Sequence, residues 1–488
     1  MSIAPRQHDR TGKELSRRGF LGASLGVLPG LGLKAAASPG QAAAAAAPPP
    51  SVVPPKVKAF RTLGRTGWRV SDISYGAGNL SNANVLQTAL DRGVNYIDTG
   101  EHYERGGSER TIGEALKGRD RKSVFVTTKL NLSFDKRNDK AAIRDRFQKC
   151  LERMRLEAAD CLMIHMCTLA QVKDEPYHEA IRELKAEGRV RFSGLSNHGA
   201  DLSLYGRLDD PMDQVVLAAA EDGRFDVVLF AYNYLKADAG GKILDACKAK
   251  NMGTTLMKMD PAFYIQEDKN ILAGVEERYK SQGKALPEAF TRLTELSRDR
   301  AAKTEAFLKS HNLAGLEQAR DAGIKFCLSH PDVHCVCPSI NSFEALDAFL
   351  ALSGGTMSQA DEAVLAGGAD VAGASTCRFA CGVCEPACPR GVPVNAIMRY
   401  NYYFRGKGEE KAALREYAAL GARDAASCAE CDGPCERACP YGVPIQGKLI
   451  VAHETLTLPQ AGGVLAVQHG QHDGYAGKEK SGPGLPGE

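Results

Sequence analysis

Neither sign of charge dominates this chain: 62 basic residues face 59 acidic ones across 488 positions. No basic stripe runs along it, which argues against nucleic acid as a partner. Past the N-terminal segment it lacks an apolar run long enough to span a bilayer, so an integral membrane protein is not expected. It also lacks a GxGxxG turn after its first strand-like run, which removes the usual fingerprint of an open, doubly wound sheet.

What is present is more telling. The length suffices for two or three domains. Of 15 cysteines, seven are scattered and eight fall into two tight groups near the C-terminus. At the other end, Ser16-Arg17-Arg18-Gly19-Phe20-Leu21 precedes a mildly apolar run from Leu21 to Leu33, then alanine-rich sequence and prolines at Pro48 to Pro50, Pro54 and Pro55. A basic start, a short apolar stretch and a small-residue end make a twin-arginine signal peptide with an Ala/Pro-rich linker over 1–50. Its expected partner is the twin-arginine export machinery, and the expected location is the periplasm. A disordered extension is the bland alternative.

From Phe60 the pattern alternates strand and helix. Val70 to Ala77, Val94 to Asp98, Ser123 to Lys129, Asp160 to His165, Val190 to Ser196, Val227 to Tyr232, Gly253 to Lys258 and Val333 to Pro338 read as strands, and FRTLGRTGW as a hairpin plugging one end. Eight βα units predict an α/β fold, a closed (β/α)8 barrel over 58–352; a doubly wound sheet is the alternative. A helical insertion at 261–316 interrupts the rhythm, either covering the mouth or only adding bulk. A linker helix at 353–374, a cysteine domain at 375–456 and a disordered tail at 457–488 follow.

The stretch GVNYIDTGEHY, Gly93 to Tyr103, anchors the chemistry. A buried strand ends at Asp98 and opens into a loop carrying Tyr103; two later strands end at Lys129 and His165. Parallel barrels present chemistry at these carboxyl ends. Reducing a carbonyl by hydride calls for a proton donor at the developing alkoxide. A free phenol, with pKa about 10, holds its proton tightly. An ammonium beside it lowers that pKa, a buried carboxylate keeps the ammonium charged, and an imidazole orients the substrate oxygen. Each residue taken singly also fits a plain structural role.

The pieces FRTLGRTGWRVSDISYGAG, NYIDTGEHY, SERTIGEAL, VFVTTK, DCLMIH, GRVRFSGLSNH and AYNYL occur in this order, and together they resemble the aldo/keto reductase family. The resemblance implies Asp98, Tyr103, Lys129 and His165 as the catalytic tetrad. It implies NADP or NAD as cofactor, held by Ser196, Asn197, Tyr232, Lys258, Pro338, Ser339 and Ser342. Two departures weaken the nicotinamide pocket: Leu229 replaces a glutamine, and LMKMDP lacks the stacking aromatic, with Met257 to Met259 filling its space. No cation in CPSINSFEAL matches the residue that grips a 2′-phosphate.

The cysteine groups read CRFACGVCEPACP, with Cys377, Cys381, Cys384 and Cys388, and CAECDGPCERACP, with Cys428, Cys431, Cys435 and Cys439. Both end in Cys-Pro, close to the C-x2-C-x2-C-x3-C-P run of bacterial ferredoxins, with one gap in each longer by one residue. Two 4Fe-4S clusters in a mostly helical ferredoxin-like domain are expected, with Cys388 and Cys439 exchanged between clusters. Zinc and a disulfide framework are the rivals. Between the groups, Tyr400, Tyr402, Tyr403 and Phe404 are read as core of the small domain. The scattered cysteines are read as small buried residues.

A hydride carries two electrons and a cluster exchanges one, and no flavin motif is recognisable. Three functions stay open: a carbonyl–alcohol oxidoreductase relaying electrons through its clusters to a redox partner protein, a nicotinamide-dependent carbonyl reductase with structural clusters, and an electron-transfer or binding protein on a non-catalytic barrel. The loops Asn131 to Lys136 and Thr168 to Pro176 carry no anchor that names the small-molecule carbonyl or alcohol substrate.

Overall fold

The computed structural model of the protein describes residues 53–133, 138–199, 210–259, 269–379, 381–406 and 410–457. The expected signal and linker, nearly all of the expected tail, part of the Asn131–Lys136 loop and the start of the 261–316 insertion lie outside these residues.

Strands β1 (Phe60–Thr62) and β2 (Arg69–Ser71) form an antiparallel hairpin. Eight parallel strands follow: β3 (Tyr75–Gly76), β4 (Tyr96–Asp98), β5 (Phe125–Leu130), β6 (Ala159–Ile164), β7 (Val190–Asn197), β8 (Val227–Ala231), β9 (Gly253–Met257) and β10 (Cys335–Val336). Each pairs with the next in sequence. Parallel bridges from Ile73 to Val336 and from Gly76 to Ser339 join the last strand to the first. The sheet is therefore a closed barrel, which excludes the doubly wound alternative. The expected strand Val70 to Ala77 is two elements, with β2 in the hairpin and β3 in the barrel. Asp72 divides them because its buried carboxylate accepts from Ser353 Oγ at 2.6 Å and from the Gly354 amide at 2.7 Å.

The outer layer contains α1 (Ala83–Asp91), α2 (Gly107–Ala115), α3 (Lys140–Met154), α4 (Leu169–Val172), α5 (Glu175–Ala186), α6 (Met212–Asp222) and α7 (Ala237–Ala249). The periodicity that marks these helices is plain in α3. Asp139 caps it by accepting from the Ala142 amide at 2.8 Å, and Ile143, Phe147, Cys150, Leu151 and Met154 fall on the one buried face.

Side chains also fill the barrel interior. Tyr96, Phe125 and Phe192 stack in turn, with ring centroids 5.1 and 5.8 Å apart. Leu63 and Val70 close the same inner cluster from the hairpin, as the plug expectation required, and Cys161, Cys335 and Cys337 pack within it. All seven scattered cysteines are buried.

The insertion contributes α8 (Lys269–Ser281) and the long α9 (Glu288–Ser310), before α10 (Leu316–Ser329) returns to the barrel. Helix α11 (Phe343–Ala351) ends the barrel and α12 (Gln359–Gly373) is the linker helix. The cysteine region then supplies α13 (Val394–Gly406), α14 (Glu410–Ala418), α15 (Pro434–Arg437) and α16 (Ile445–Leu456). The described part of the insertion does more than add bulk. Leu272, Val275, Phe290 and Leu293 share one apolar core with Val394, Ile397, Tyr400 and Leu449. The insertion is the seat of the cysteine domain. No helix among the described residues is long and apolar enough to cross a membrane.

Gly64 shows how tightly the hairpin plugs the barrel. Its φ is +48°, and a Cβ there would lie 2.4 Å from the Gly253 nitrogen and 2.7 Å from the Asn251 oxygen, both backbone atoms that cannot yield by a rotamer change. Gly64→Ala is expected to cost about 2 kcal/mol. A lower urea midpoint with unchanged slope is the check; an unchanged midpoint contradicts the tight-plug account.

Candidate active site

Side-chain alternation places the catalytic candidates. On β4, β5 and the run through β6, the inward series Tyr96–Asp98, Phe125–Thr127–Lys129 and Cys161–Met163–His165 start in the inner core and climb to one end. Parallel neighbours in register raise those ends together. Lys129 Nζ donates to Asp98 Oδ1 at 2.5 Å and to the Thr99 carbonyl at 2.7 Å, and lies 3.2 Å from the Tyr103 hydroxyl. The Tyr103 ring meets His165 edge-on at 5.5 Å. All four candidates are thus brought together. Asp98, Tyr103 and His165 line a cleft of about 980 Å³.

The loop ends around this mouth are held in uncommon conformations. Glu104 and Arg105 after β4, Met166 after β6 and Lys258 after β9 all have positive φ, each at a cost of about 1–3 kcal/mol. Glu101 anchors the first of these loops. Burial alone would raise its carboxyl, but hydrogen bonds from His102 and Arg146 hold it down at about 2. It also accepts from the Asn131 amide at 2.9 Å.

Electrostatics refine one expectation. Burial pushes the Tyr103 phenol up to about 12, Lys129 pulls it down and Asp98 adds to the rise. The ammonium acts in the expected direction and desolvation wins, so the resting phenol stays protonated and is not made more acidic than a free one. Burial alone would favour neutral Lys129, but Asp98 and Tyr103 raise it above its ordinary value, so the cation persists. His165 is lowered from 6.5 to about 3 by burial, with Lys129 and His102 adding to the effect. It is a neutral imidazole, and its Nδ1 is buried without a partner.

The residues expected to hold a dinucleotide divide into two sets. Ser196, Lys258, Pro338 and Ser339 line the cleft, as do Leu229, Met257 and Met259. Asn197 is engaged elsewhere, donating to the Cys167 carbonyl at 2.7 Å and accepting from Gly199 at the same distance. Ser342 caps α11 by accepting from Ala345. Tyr232 is turned into the packing of α7 and α10, against Phe326 at 5.6 Å and close over Gly240, so it is not a cleft residue. The GLSNH motif contains a residue that was not assigned, His198, which lines the cleft and is buried neutral.

Sequence reading also missed the far wall of the cleft, which comes from the cysteine domain. Phe379 precedes α13, Tyr402 and Tyr403 lie on it, and Lys411 and Arg415 lie on α14; all five line the same cleft as Tyr103. Of the four aromatics expected in the small domain's core, Tyr400 is fully buried there, Tyr403 and Phe404 pack half-buried against it, and Tyr402 faces the cleft. With Phe379, Tyr402 and Tyr403 surround the Lys258 ammonium at 5.2 to 5.9 Å, a cation–π contact across the domain boundary. The run of three aromatics Tyr402-Tyr403-Phe404, more than one helix face can bury, was the available signal.

None of the 15 cysteines is in a disulfide. Among the described residues no three His, Cys, Asp or Glu side chains converge closely enough to hold a single metal ion. The thiols nonetheless gather as two sets. Cys388, Cys428, Cys431 and Cys435 wall one small cavity. Burial, then Cys435, Cys388 and Cys431, push Cys428 up to about 12. In the other set, burial and then the neighbouring Cys381 and Cys439 raise Cys377 to about 12. Asn395 Nδ2 points at the Cys377 sulfur at 3.4 Å, and the Val392 amide at that of Cys388 at 3.4 Å. Each iron of a cube takes one thiolate, so cube ligands stand wider than those around a single ion.

Comparison with known proteins agrees with this geometry. The aldo/keto reductase family model matches residues 73–362. An uncharacterized oxidoreductase, YqkF, of Bacillus subtilis (strain 168) is 30% identical over 149 residues, 28% of this chain and 48% of that protein. An L-galactose dehydrogenase of Arabidopsis thaliana is 29% identical over 192 residues, 36% of this chain and 56% of that protein. An NADH-specific methylglyoxal reductase of Escherichia coli (strain K12) is 30% identical over 176 residues, 30% and 54% respectively. The chain spans about half the length of these curated relatives.

The neutral His165 has a consequence for stability. A folded pKa below the unfolded one means the unfolded chain binds the proton more readily, so stability is present above 6.5 and is lost as pH falls toward 3. Between pH 7 and 5 this group removes at most about 2 kcal/mol. His165→Gln, which cannot take that proton, is expected to lose less stability over the same interval in paired urea titrations. Parallel losses would show that His165 titrates normally.

Proposed function

The chain belongs to the aldo/keto reductase family, and from that premise we propose that it is an oxidoreductase interconverting a carbonyl and an alcohol, with Tyr103 moving the proton. The observation that carries this reading is the buried line from Asp98 through Lys129 to Tyr103, with a neutral His165 at its side, opening into the cleft. Lys129 stabilises charge on the phenol oxygen as the proton leaves, and Asp98 keeps Lys129 cationic. Neutral His165 directs a ring N–H at the carbonyl oxygen and fixes where it sits. Because the phenol is protonated and weakly acidic, it is poised as a donor, and an alkoxide is basic enough to take its proton. Proton donation in the reductive direction thus needs no prior protonation of the phenol at neutral pH.

A bound nicotinamide would supply the hydride. The cleft has the size for such a ligand, and Ser196 and Ser339 offer hydroxyls within it. Arg320, Lys411 and Arg415 reach the same cleft and bring the positive charge that CPSINSFEAL lacks. They favour a 2′-phosphorylated cofactor, although one relative is named as NADH-specific.

For the cysteine domain we infer two 4Fe-4S clusters in a ferredoxin-type arrangement, one on Cys377, Cys381, Cys384 and Cys439, the other on Cys388, Cys428, Cys431 and Cys435. The four-thiol cavity supports the second set and the exchanged Cys388. Such clusters exchange single electrons with a partner protein. Export through the twin-arginine route follows from Arg17 and Arg18. Replacing both by Lys is expected to leave the protein in the cytoplasm on cell fractionation, and periplasmic recovery of that variant would remove the export reading.

A second reading is an exported electron-transfer protein on a barrel without turnover. Leu229, Met257 and Met259 favour it, since they put apolar walls where the family resemblance calls for an amide and an aromatic ring. Turnover separates the two. Tyr103→Phe is expected to lower kcat for carbonyl reduction by roughly 100-fold or more, with KM and iron content little changed. Equal turnover in variant and wild type would dismiss Tyr103 as the acid. Iron-replete wild type that reduces no carbonyl would favour the second reading.

A further inference from the structure

The inward series of β7 runs one step beyond the residues expected to hold a cofactor. Phe192 joins the inner aromatic stack, and a Cβ on Gly194 would lie 2.8 Å from Met163, so both positions face the barrel interior. Ser196 and then His198 continue that face and line the cleft. Ile164 pairs with Leu195 across β6 and β7, so Ser196 stands level with His165. His198 stands one pleat higher, roughly 7 Å along the strand direction. There its carbonyl accepts from Arg399 Nη2 of α13 at 3.1 Å.

The backbone around His198 is held from both sides, by Arg399 and by the Gly199 amide, which donates to Asn197 Oδ1 at 2.7 Å. Its side chain is more than nine-tenths buried, yet Nδ1 has no hydrogen-bond partner. Buried polar atoms are nearly always paired within the fold, so an unpaired imidazole on a cleft wall points to a ligand. Burial, reinforced by Arg399, Lys258 and His165, holds the ring well below its ordinary range, and it is a neutral imidazole. Such a ring carries one N–H and one bare nitrogen. A carboxylate or a ketone can serve only the N–H. A hydroxyl both donates and accepts, so it fits whichever nitrogen it meets. The surroundings are apolar on the barrel side, with Leu229 and Met257, and aromatic on the side of the cysteine domain, with Tyr402 and Tyr403. They suit a ligand body of low polarity.

We propose that His198 is a specificity-determining residue, which hydrogen-bonds a hydroxyl of a neutral hydroxycarbonyl substrate whose apolar body lies against Met257 and Tyr402. The inference deepens the carbonyl reading and rests on it: His165 meets the reacting oxygen, and His198, one pleat above, meets the hydroxyl. The hydroxyl is bound and not consumed, so no further chemistry is asked of the site. An analogue without it leaves the imidazole unpaired, which is how a site built for a polar group rejects a substrate lacking one.

The test uses the full, anaerobically purified, iron-loaded chain with NADPH and three aryl ketones: 2-hydroxyacetophenone, acetophenone and the anionic phenylglyoxylate. In wild type, kcat/KM for the hydroxy ketone is expected to exceed that for acetophenone by about tenfold or more, chiefly through KM. His198→Leu should bring the ratio to within about twofold of unity. His198→Gln, which keeps a donor and an acceptor, should retain most of it. The ratio should stay flat between about pH 6 and 8, because the ring is neutral throughout. Iron content and the thermal midpoint report whether each variant is folded. Calorimetric titration of Tyr103→Phe with the same ketones reads the contact without turnover, and the hydroxy ketone should again bind about tenfold more tightly than acetophenone. That preference in a wild type that reduces neither ketone sinks the carbonyl reading and leaves the His198 contact standing. A ratio near unity in wild type, a ratio that survives His198→Leu, or no binding of either ketone overturns the proposal. Phenylglyoxylate preferred over the hydroxy ketone overturns the neutral substrate. A raised KM for NADPH in His198→Leu, with the ratio unchanged, gives the ring to the cofactor instead.

Discussion

A single ion pair buried in the barrel, Lys129 with Asp98, is the constraint around which the rest is arranged. Both side chains are almost fully withdrawn from solvent. Desolvating two charges costs several kcal/mol per ion, and the donors of Lys129 offset part of it, while Asp98 Oδ2 stays buried without a partner. Lys129 spends its donors on a carboxylate, a backbone carbonyl and the phenol oxygen. Removing either partner leaves a bare charge in a packed interior, so neither can drift. That rigidity fixes where Tyr103 sits relative to His165, and, on the proposed reading, where a carbonyl oxygen would sit.

The same burial that secures the pair sets its electrical character. Low polarity strengthens the ammonium's pull on the phenol, yet it also penalises phenolate, and the second effect prevails. His165 is kept neutral for the same reason. Around the Tyr103 hydroxyl there are therefore a buried ion pair, a protonated phenol and a neutral imidazole. The cysteine domain reinforces this seclusion, because Phe379, Tyr402 and Tyr403 close over Lys258 and form part of the cleft wall.

Much of this was legible beforehand because it depends on short-range pattern. Strand periodicity with a carboxylate, a lysine and a histidine at successive strand ends is enough to place Asp98, Lys129 and His165 side by side. Most strand ends fall within two residues of where alternation put them. Several of the failures come from contact between segments far apart in the chain. Tyr232 was placed by its neighbours in AYNYL, but packing against Gly240 and Phe326 draws it away. Tyr402 and Tyr403 look like core on their own helix, and only docking shows that they belong to the barrel's mouth. The net rise at Tyr103 depends on a balance of burial against charge that spacing alone does not contain.

The seating of the cysteine domain on α8 and α9 bears on how such a molecule is assembled. A reader of modules would cut the chain near residue 353 and expect two self-sufficient parts. The apolar faces of Leu272, Phe290 and Leu293 are covered only by the far end of the polypeptide. A ribosome that has finished the barrel has therefore made a platform with nothing on it, still sticky until the last helix arrives. A chain cut short of its last helix would leave those apolar side chains of the platform uncovered.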